Sequence, residues 1–157
     1  MKTATIAIAA VTAATLGLSS VALADRNETF ERASLDSMLD QAAAAGIESF
    51  REFDVDRENG ELELDVEGWN SDGQEMELTL RGPNATVMAQ EIDSTLESPW
   101  GLDRQQLNAL LDRTAADGFE RISELDLNRS GSIEIEGYDG VREIEQHYDY
   151  RSVTGGA

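Results

Sequence analysis

Residues 59–81, NGELELDVEGWNSDGQEMELTLR, contain two segments in which apolar and mainly acidic side chains alternate. Their apolar positions are Leu62, Leu64, Val66, Met76, Leu78 and Leu80. Successive side chains of a strand point to opposite faces, so the pattern predicts two antiparallel strands with one buried face and one acidic face. The intervening NSDG predicts the turn of a hairpin.

The flanking residues extend this unit at both ends. FREFDVD at 50–56 predicts a preceding strand, and ATVMAQEI at 85–92 predicts a further strand after the turn RGPN. Before the first strand, apolar residues recur at the spacing of an amphipathic helix, with Ser34 as its predicted N-cap and Gly46 at its end. The helical positions are Leu35, Met38, Leu39, Ala42 and Ala43.

The same unit occurs a second time. Residues 35–57 align without a gap on residues 107–129 with 10 identities in 23 positions, and EGYDG at 136–140 matches EGWNSDG at 67–73. Asp103 and Gln106 form a predicted capping box before the second helix. The expected fold is therefore α+β, with two repeats of one helix packed on a three- to four-stranded antiparallel sheet. The pattern leaves open whether the repeats share one sheet.

The N-terminus is typical of an export signal. Lys2 is followed by an apolar run from Ala4 to Leu18 and by the small-x-small motif at 22–24. These features predict a signal peptide at 1–24 and a periplasmic or secreted protein without a membrane anchor after cleavage. The remaining organisation is a first repeat at 25–93, a linker at 94–102 and a second, shorter repeat at 103–157.

The charge of the chain restricts its partners. After residue 24 there are 11 arginines, no lysine and 32 acidic residues, which gives a formal charge of −21. Such a chain repels nucleic acid and anionic lipid, and attracts cations and basic proteins. A solvated surface suited to high salt is the alternative explanation. The absence of cysteine excludes disulfides and thiolate metal sites.

The segment DLNRSGSIEIEG at 126–137 has two interpretations. As an EF-hand-like calcium loop it would use Asp126, Asn128, Ser130 and Glu134 or Glu136. However, its twelfth residue is Gly137 rather than a bidentate carboxylate, and Ile133 and Ile135 alternate with acids as in a strand. The pattern favours a turn followed by a strand, with no metal and no other cofactor, and keeps calcium binding as the alternative.

The helix ending in AAAAGI, the strand FREFDVD, the hairpin at 59–81 and the closing GPNATVMAQE resemble the PepSY domain family. The resemblance covers residues 33–92 and, in a shorter form, 103–150. GPNAT lacks the Thr-Gly of the family's last turn, and the second copy lacks a recognisable final strand. The resemblance implies a small noncatalytic module of exported proteins, linked to inhibition of secreted proteases and to the propeptides of thermolysin-like metalloproteases.

Few residues are candidates for chemistry or recognition. His147 is the sole histidine, and no catalytic motif surrounds it. Trp69 and Tyr138 occupy matching positions and are candidate contacts for a protein partner, but the pattern favours the alternative, in which each ring covers the end of the sheet against its helix. The expected function is a noncatalytic exported binding module that modulates or inhibits a secreted or periplasmic protease; the alternative is an exported calcium-binding protein.

Overall fold

A computed structural model describes residues 28–96 and 98–155. The expected signal peptide at 1–24 lies outside the described residues. The elements along the chain are β1 (Phe30–Glu31), α1 (Arg32–Ala45), β2 (Ser49–Glu58), β3 (Glu61–Trp69), β4 (Gln74–Arg81), β5 (Thr86–Leu96), α2 (Arg104–Ala116), β6 (Arg121–Leu127), β7 (Ser132–Tyr138), β8 (Glu143–Asp149) and α3 (Tyr150–Thr154).

All eight strands form one antiparallel sheet in the order β5-β4-β3-β2-β6-β7-β8, with β1 paired to β6. The predicted fold class, a helix on a three- to four-stranded sheet in each repeat, is therefore wrong. The molecule is richer in sheet than predicted, and its three helices are short. The repeats form one continuous sheet because β2 and β6, each the outer strand of its own repeat, pair with one another. This pairing removes two exposed sheet edges.

The junction between the repeats has approximate twofold symmetry. Glu52 lies opposite Asp126 and Asp54 lies opposite Glu124. Glu52 and Glu124 are equivalent in the repeat, as are Asp54 and Asp126. Each strand therefore pairs with its own counterpart running in the opposite direction.

The segment before each helix also crosses to the other repeat. Phe30, before α1, pairs with Ile122 of β6, while Leu102, before α2, exchanges two backbone hydrogen bonds of 2.8 Å with Phe50 of β2. Phe30 and Leu102 are equivalent positions of the repeat. The two halves are thus interlocked within one sheet.

Both long helices cover one face of the sheet and form the main core with it. The core combines helical residues such as Leu39 and Leu111 with strand residues such as Leu64 and Ile135, all fully buried. The capping box of Asp103 and Gln106 is confirmed, but the predicted N-cap Ser34 is wrong because α1 begins earlier, at Arg32, with Glu31 as N-cap.

Symmetric ion pairs join the two helices. Arg32 lies 2.9 Å from Asp112, and the equivalent Arg104 lies 2.8 Å from Asp40. Each arginine also contacts the residue four positions later on its own helix. The two helices are therefore related by the same approximate twofold symmetry as the two halves of the sheet.

Two further features differ from, or add to, the expected organisation. β5 continues to Leu96, so the ordered strand occupies the beginning of the predicted linker at 94–102. Among the described residues, no helix has the length and apolar character needed to cross a membrane.

Candidate binding surface: the acidic face of the sheet

The sheet face that lies away from α1 and α2 is here called the acidic face. It carries two adjacent rows of side chains. Residues directly opposite one another in an antiparallel pairing lie on the same face. The first row crosses seven strands through Glu91, Glu77, Glu67, Glu52, Asp126, Glu134 and His147. The second row crosses six through Thr79, Asp65, Asp54, Glu124, Glu136 and Glu145.

The centre of the acidic face lies at the junction of the repeats, where like charges face each other across β2 and β6. Burial raises the pKa of Glu52, with Asp126 adding to the rise and Arg51 opposing it. Burial and the nearby Asp56 likewise raise the pKa of Asp54. The fold therefore holds negative charge at this centre against both partial desolvation and repulsion.

The same effect extends along the second row. Burial raises the pKa of Glu124, with the charge of Glu136 as the next cause. Burial also raises the pKa of Glu136, and the negative charge of Glu143 is the next largest cause of that rise. Among the described residues, no arginine forms an ion pair with Asp54, Glu124 or Glu136. The middle of the face is thus an uncompensated array of carboxylates.

Arginines lie at the margins of the array. Arg51 pairs with Glu67 and lies 2.8 Å from Glu75, while Arg81 pairs with the buried Glu63 and lies 2.8 Å from Glu58. Arg51 also lies 3.5 Å from Glu52, so the central carboxylates without an arginine partner are Asp54, Glu124 and Glu136. The field over β2, β6 and β7 is consequently the strongest candidate recognition feature.

Two shallow depressions indent this surface. One, of about 420 Å³, is lined by Glu67, Glu75, Glu77, Glu91, Ile92 and Asp93 at the β5 side. The other, of about 210 Å³, includes Asp54, Glu124, Glu136, Tyr138 and Glu143. Carboxylates dominate both, so each suits a cationic group such as a guanidinium or ammonium.

Trp69 and Tyr138, the predicted partner contacts, are both buried on the acidic side of the sheet. Trp69 is 2% exposed, with its ring 5.1 Å from that of Trp100 and Arg51 stacked over it at 5.7 Å. Tyr138 is 5% exposed and lines the smaller depression. Neither ring is presented to solvent, so both support the surface from beneath instead of forming an exposed anchor.

The segment 126–137 forms a turn and a strand. The Asn128 side-chain oxygen accepts hydrogen bonds from the backbone N–H of Ser130 at 3.0 Å and of Ser132 at 3.2 Å. Asn70 makes the same arrangement with Asp72 and Gln74, both at 3.0 Å, in the β3–β4 turn. β7 then occupies the positions where an EF-hand would start its second helix.

This geometry divides the proposed calcium ligands into two sets. Asp126 and Glu134 face each other across β6 and β7, and Glu136, two residues further along β7, faces Glu124. Asn128 and Ser130 lie in the turn, and the Ser130 hydroxyl donates to the Asn128 side-chain oxygen at 2.5 Å. The structure thus places the acids on the acidic face and engages the turn residues with one another.

A different group could hold a metal ion. Glu134, Glu145 and His147 each offer a ligand atom, and these atoms all lie within 4.8 Å of one another. His147 Nε2 is 3.1 Å from Glu145, and His147 Nδ1 is 3.9 Å from Glu134. One imidazole and two carboxylates suit a zinc-like transition metal better than calcium.

Sequence reasoning missed the central group of Glu52, Asp54, Glu124 and Asp126. All four are among the identities of the repeat alignment, which was a usable signal. The alignment shows that the positions are equivalent, yet it does not show that equivalent strands pair across the junction. That pairing brings the four carboxylates together.

Comparisons with known proteins leave the family open. No family model matches the chain, and the search of curated proteins gave no match. One solved structure with similarity is a "putative lipoprotein" from Clostridium difficile 630, with 13% identity, a TM-score of 0.39, and coverage of 71% of this chain and 81% of that one. Similarity at this level carries no argument about function.

Proposed function

We propose that the protein is an exported, noncatalytic binding module whose acidic face binds a cationic protein surface, such as that of a secreted or periplasmic protease. The observation that carries the proposal is the pair of carboxylate rows meeting at β2 and β6. The N-terminal signal sequence and the PepSY resemblance support export and a protease partner.

The physical basis is that the acidic rows oppose folding. Like charges directly opposite across strands are destabilising, and each of the pairs Glu52–Asp126, Asp54–Glu124 and Asp126–Glu134 is of this kind. A cationic partner would remove that repulsion on binding. Electrostatic complementarity of this type accelerates association and selects partners by charge.

The test compares two matched triple variants of the mature chain against individually purified secreted proteases from the source organism. The first variant, Glu52→Gln, Asp54→Asn and Glu124→Gln, neutralises the centre of the acidic face. The control, Glu48→Gln, Asp72→Asn and Glu120→Gln, makes the same chemical changes at exposed positions between the helices and strands. Affinity and inhibition are measured at several salt concentrations.

We expect the central variant to bind at least about tenfold more weakly, equivalent to about 1.4 kcal/mol, while the control stays near wild type. Binding of the wild type should weaken as salt rises. Equal losses in both variants would show that only total charge matters. Absence of binding and of inhibition for every protease would remove the proposed partner class.

A second candidate function is binding of a divalent transition-metal ion, favoured by the Glu134, Glu145 and His147 group. Titration calorimetry with zinc and with calcium separates this from the calcium-loop hypothesis. Loss of zinc binding in His147→Ala supports the imidazole site, whereas calcium binding that is lost in Asp126→Ala supports the loop. Weak heat that is unchanged by either substitution indicates only counterion binding to the acidic face.

A further inference from the structure

Among the strands of the described residues, the second repeat has no counterpart of β5. β4 and β8 are equivalent, because Glu67 faces Glu77 in the first repeat and the matching Glu136 faces Glu145 in the second. β5 lies against the outer edge of β4. Within residues 28–96 and 98–155, β8 pairs with β7 alone. The twofold arrangement of the sheet therefore has an open position beside β8.

The hydrogen-bonding pattern between β7 and β8 shows which backbone groups of β8 face this open position. Tyr150 N–H donates to the Gly131 carbonyl at 2.8 Å, and Asp139 N–H donates to the Arg142 carbonyl at 3.0 Å. Every second residue between these bonds exchanges hydrogen bonds with β7. The alternate residues Glu143, Glu145 and His147 consequently direct their N–H and C=O groups outward.

The open edge ends where α3 begins. The Asp149 carbonyl accepts a hydrogen bond of 2.7 Å from the Ser152 hydroxyl, and the Asp149 side chain caps α3 by accepting from Arg151 N–H at 2.8 Å. The usable edge therefore comprises Glu143, Glu145 and His147. Pairing with three such residues requires an extended segment of about five to seven residues.

The side chains around the edge define the composition of that segment. Glu143, Glu145 and His147 are exposed on the acidic face, and Glu134 and Glu136 lie behind them on β7. Residues of an added strand that lie opposite them would need to be basic. On the other side of β8, Ile144 is half-buried, Gln146 is exposed and Tyr148 is buried, so apolar residues between the basic ones would lie against Ile144 and Tyr148.

We propose that β8 binds an extended segment of a cationic partner protein, with alternating basic and apolar residues, as an added antiparallel strand. This inference rests on the proposed function and specifies its binding mode. A second copy of this chain fits poorly, because its exposed strand β5 carries Glu91 and Asp93 and would place carboxylate against carboxylate.

The first test uses a capped seven-residue peptide of alternating arginine and valine. In antiparallel pairing with arginine on the acidic face, the arginine backbone amides face β8 and the valine amides face away. Two derivatives with equal numbers of N-methyl groups are compared, one methylated at three arginine amides and the other at three valine amides. We expect the first to lose at least about tenfold in affinity and the second to bind like the parent.

The second test changes the protein. Glu145→Pro removes one outward N–H and leaves the bonds to β7 in place, whereas Glu145→Gln removes only the charge. We expect the proline variant to bind the parent peptide distinctly more weakly than the glutamine variant. If the proline variant does not fold, the comparison of the two methylated peptides on the unaltered protein answers the same question. NMR shifts of the Glu143, Glu145 and His147 amides on peptide addition provide the structural readout.

Failure of this inference is distinguishable from failure of the proposed function. Equal affinities of the two methylated peptides, with binding lost in the triple variant of Glu52, Asp54 and Glu124, would keep a cationic ligand and overturn strand addition. Protease binding without any peptide binding would likewise overturn strand addition alone. Loss of both the protease and the peptide interactions would overturn both.

Discussion

Phe53 lies directly opposite Leu125 in the pairing of β2 with β6, and the two residues occupy the same position of the two repeats, 72 residues apart. This pair marks the approximate twofold axis of the sheet. The flanking pairs Glu52–Asp126 and Asp54–Glu124 are exchanged by the same symmetry. The chain thus resembles a dimer joined into one polypeptide, with a shared core on one face and a shared acidic centre on the other.

The first prediction concerns this junction. Phe53 is 1% exposed and contributes to the common core, so Phe53→Ala should lower the free energy of unfolding by about 3–5 kcal/mol. Because the repeats share one sheet, urea unfolding monitored by circular dichroism and by tryptophan fluorescence should give a single coincident transition. Ile92→Ala, at a side chain that is 48% exposed, is the control and should change stability by less than about 0.5 kcal/mol.

Two separated transitions, or a cost for Phe53→Ala below about 1 kcal/mol, would contradict a single cooperative core. Separated transitions would indicate that the repeats fold as independent units in spite of the pairing between β2 and β6, and a low cost would indicate that Phe53 is not packed in the shared core.

The second prediction concerns Gly68 and Gly137, which are equivalent in the two repeats. A Cβ on Gly68 would overlap the Ser49 carbonyl oxygen, and a Cβ on Gly137 would overlap the Arg121 carbonyl oxygen. The obstruction is backbone and cannot move aside like a side chain. Gly68→Ala and Gly137→Ala should each cost about 1–3 kcal/mol or more in thermal or urea unfolding.

Gln90→Ala, an exposed substitution on β5, serves as the reference for placing alanine in a strand and should be nearly neutral. If either glycine variant were as stable as this reference, the close approach of the neighbouring backbone would be incorrect.

Much of the secondary structure follows from local patterns. The alternation in residues 61–67 and 75–80 fixes which side chains of β3 and β4 face the core, and the Asp103 capping box starts α2. The alternation fails at equivalent places: Phe50 and Phe53 are both buried because β2 has a register shift between Phe50 and Glu52, and β6 has one between Ile122 and Glu124.

The pairing of β2 with β6 could not be read from the same patterns. A period of two assigns each residue to a face, but it does not say which strands are neighbours. The clustering of the four carboxylates of Glu52, Asp54, Glu124 and Asp126 depends entirely on that long-range pairing. The surroundings of Trp69 likewise depend on a distant residue, because the ring of Trp100, from the predicted linker, lies against it.

The third prediction concerns the symmetric ion pairs between α1 and α2. Double-mutant cycles for Arg32 with Asp112 and for Arg104 with Asp40 should give similar coupling energies of about 0.2–1 kcal/mol, because each pair joins a half-buried arginine to an exposed aspartate. Raising the salt concentration should reduce both couplings. Coupling in one pair alone would show that the twofold relationship does not extend to the helices.

The fourth prediction concerns pH. Burial and neighbouring acids raise the pKa values of Glu52, Asp54, Glu124 and Glu136 in the folded protein. At pH values between the ordinary carboxyl pKa and these raised values, the folded protein therefore binds more protons than the unfolded chain. The free energy of unfolding should therefore rise as pH falls from neutral toward the ordinary carboxyl pKa, and this gain should be lost as pH rises again through the raised values. Urea midpoints across this range provide the measurement.

Glu124→Gln should raise the urea midpoint at pH 7 and flatten its dependence on pH, whereas the exposed control Glu48→Gln should keep the wild-type dependence on pH. A midpoint that falls steadily on acidification would mean that the central carboxylates do not carry the repulsion assigned to them.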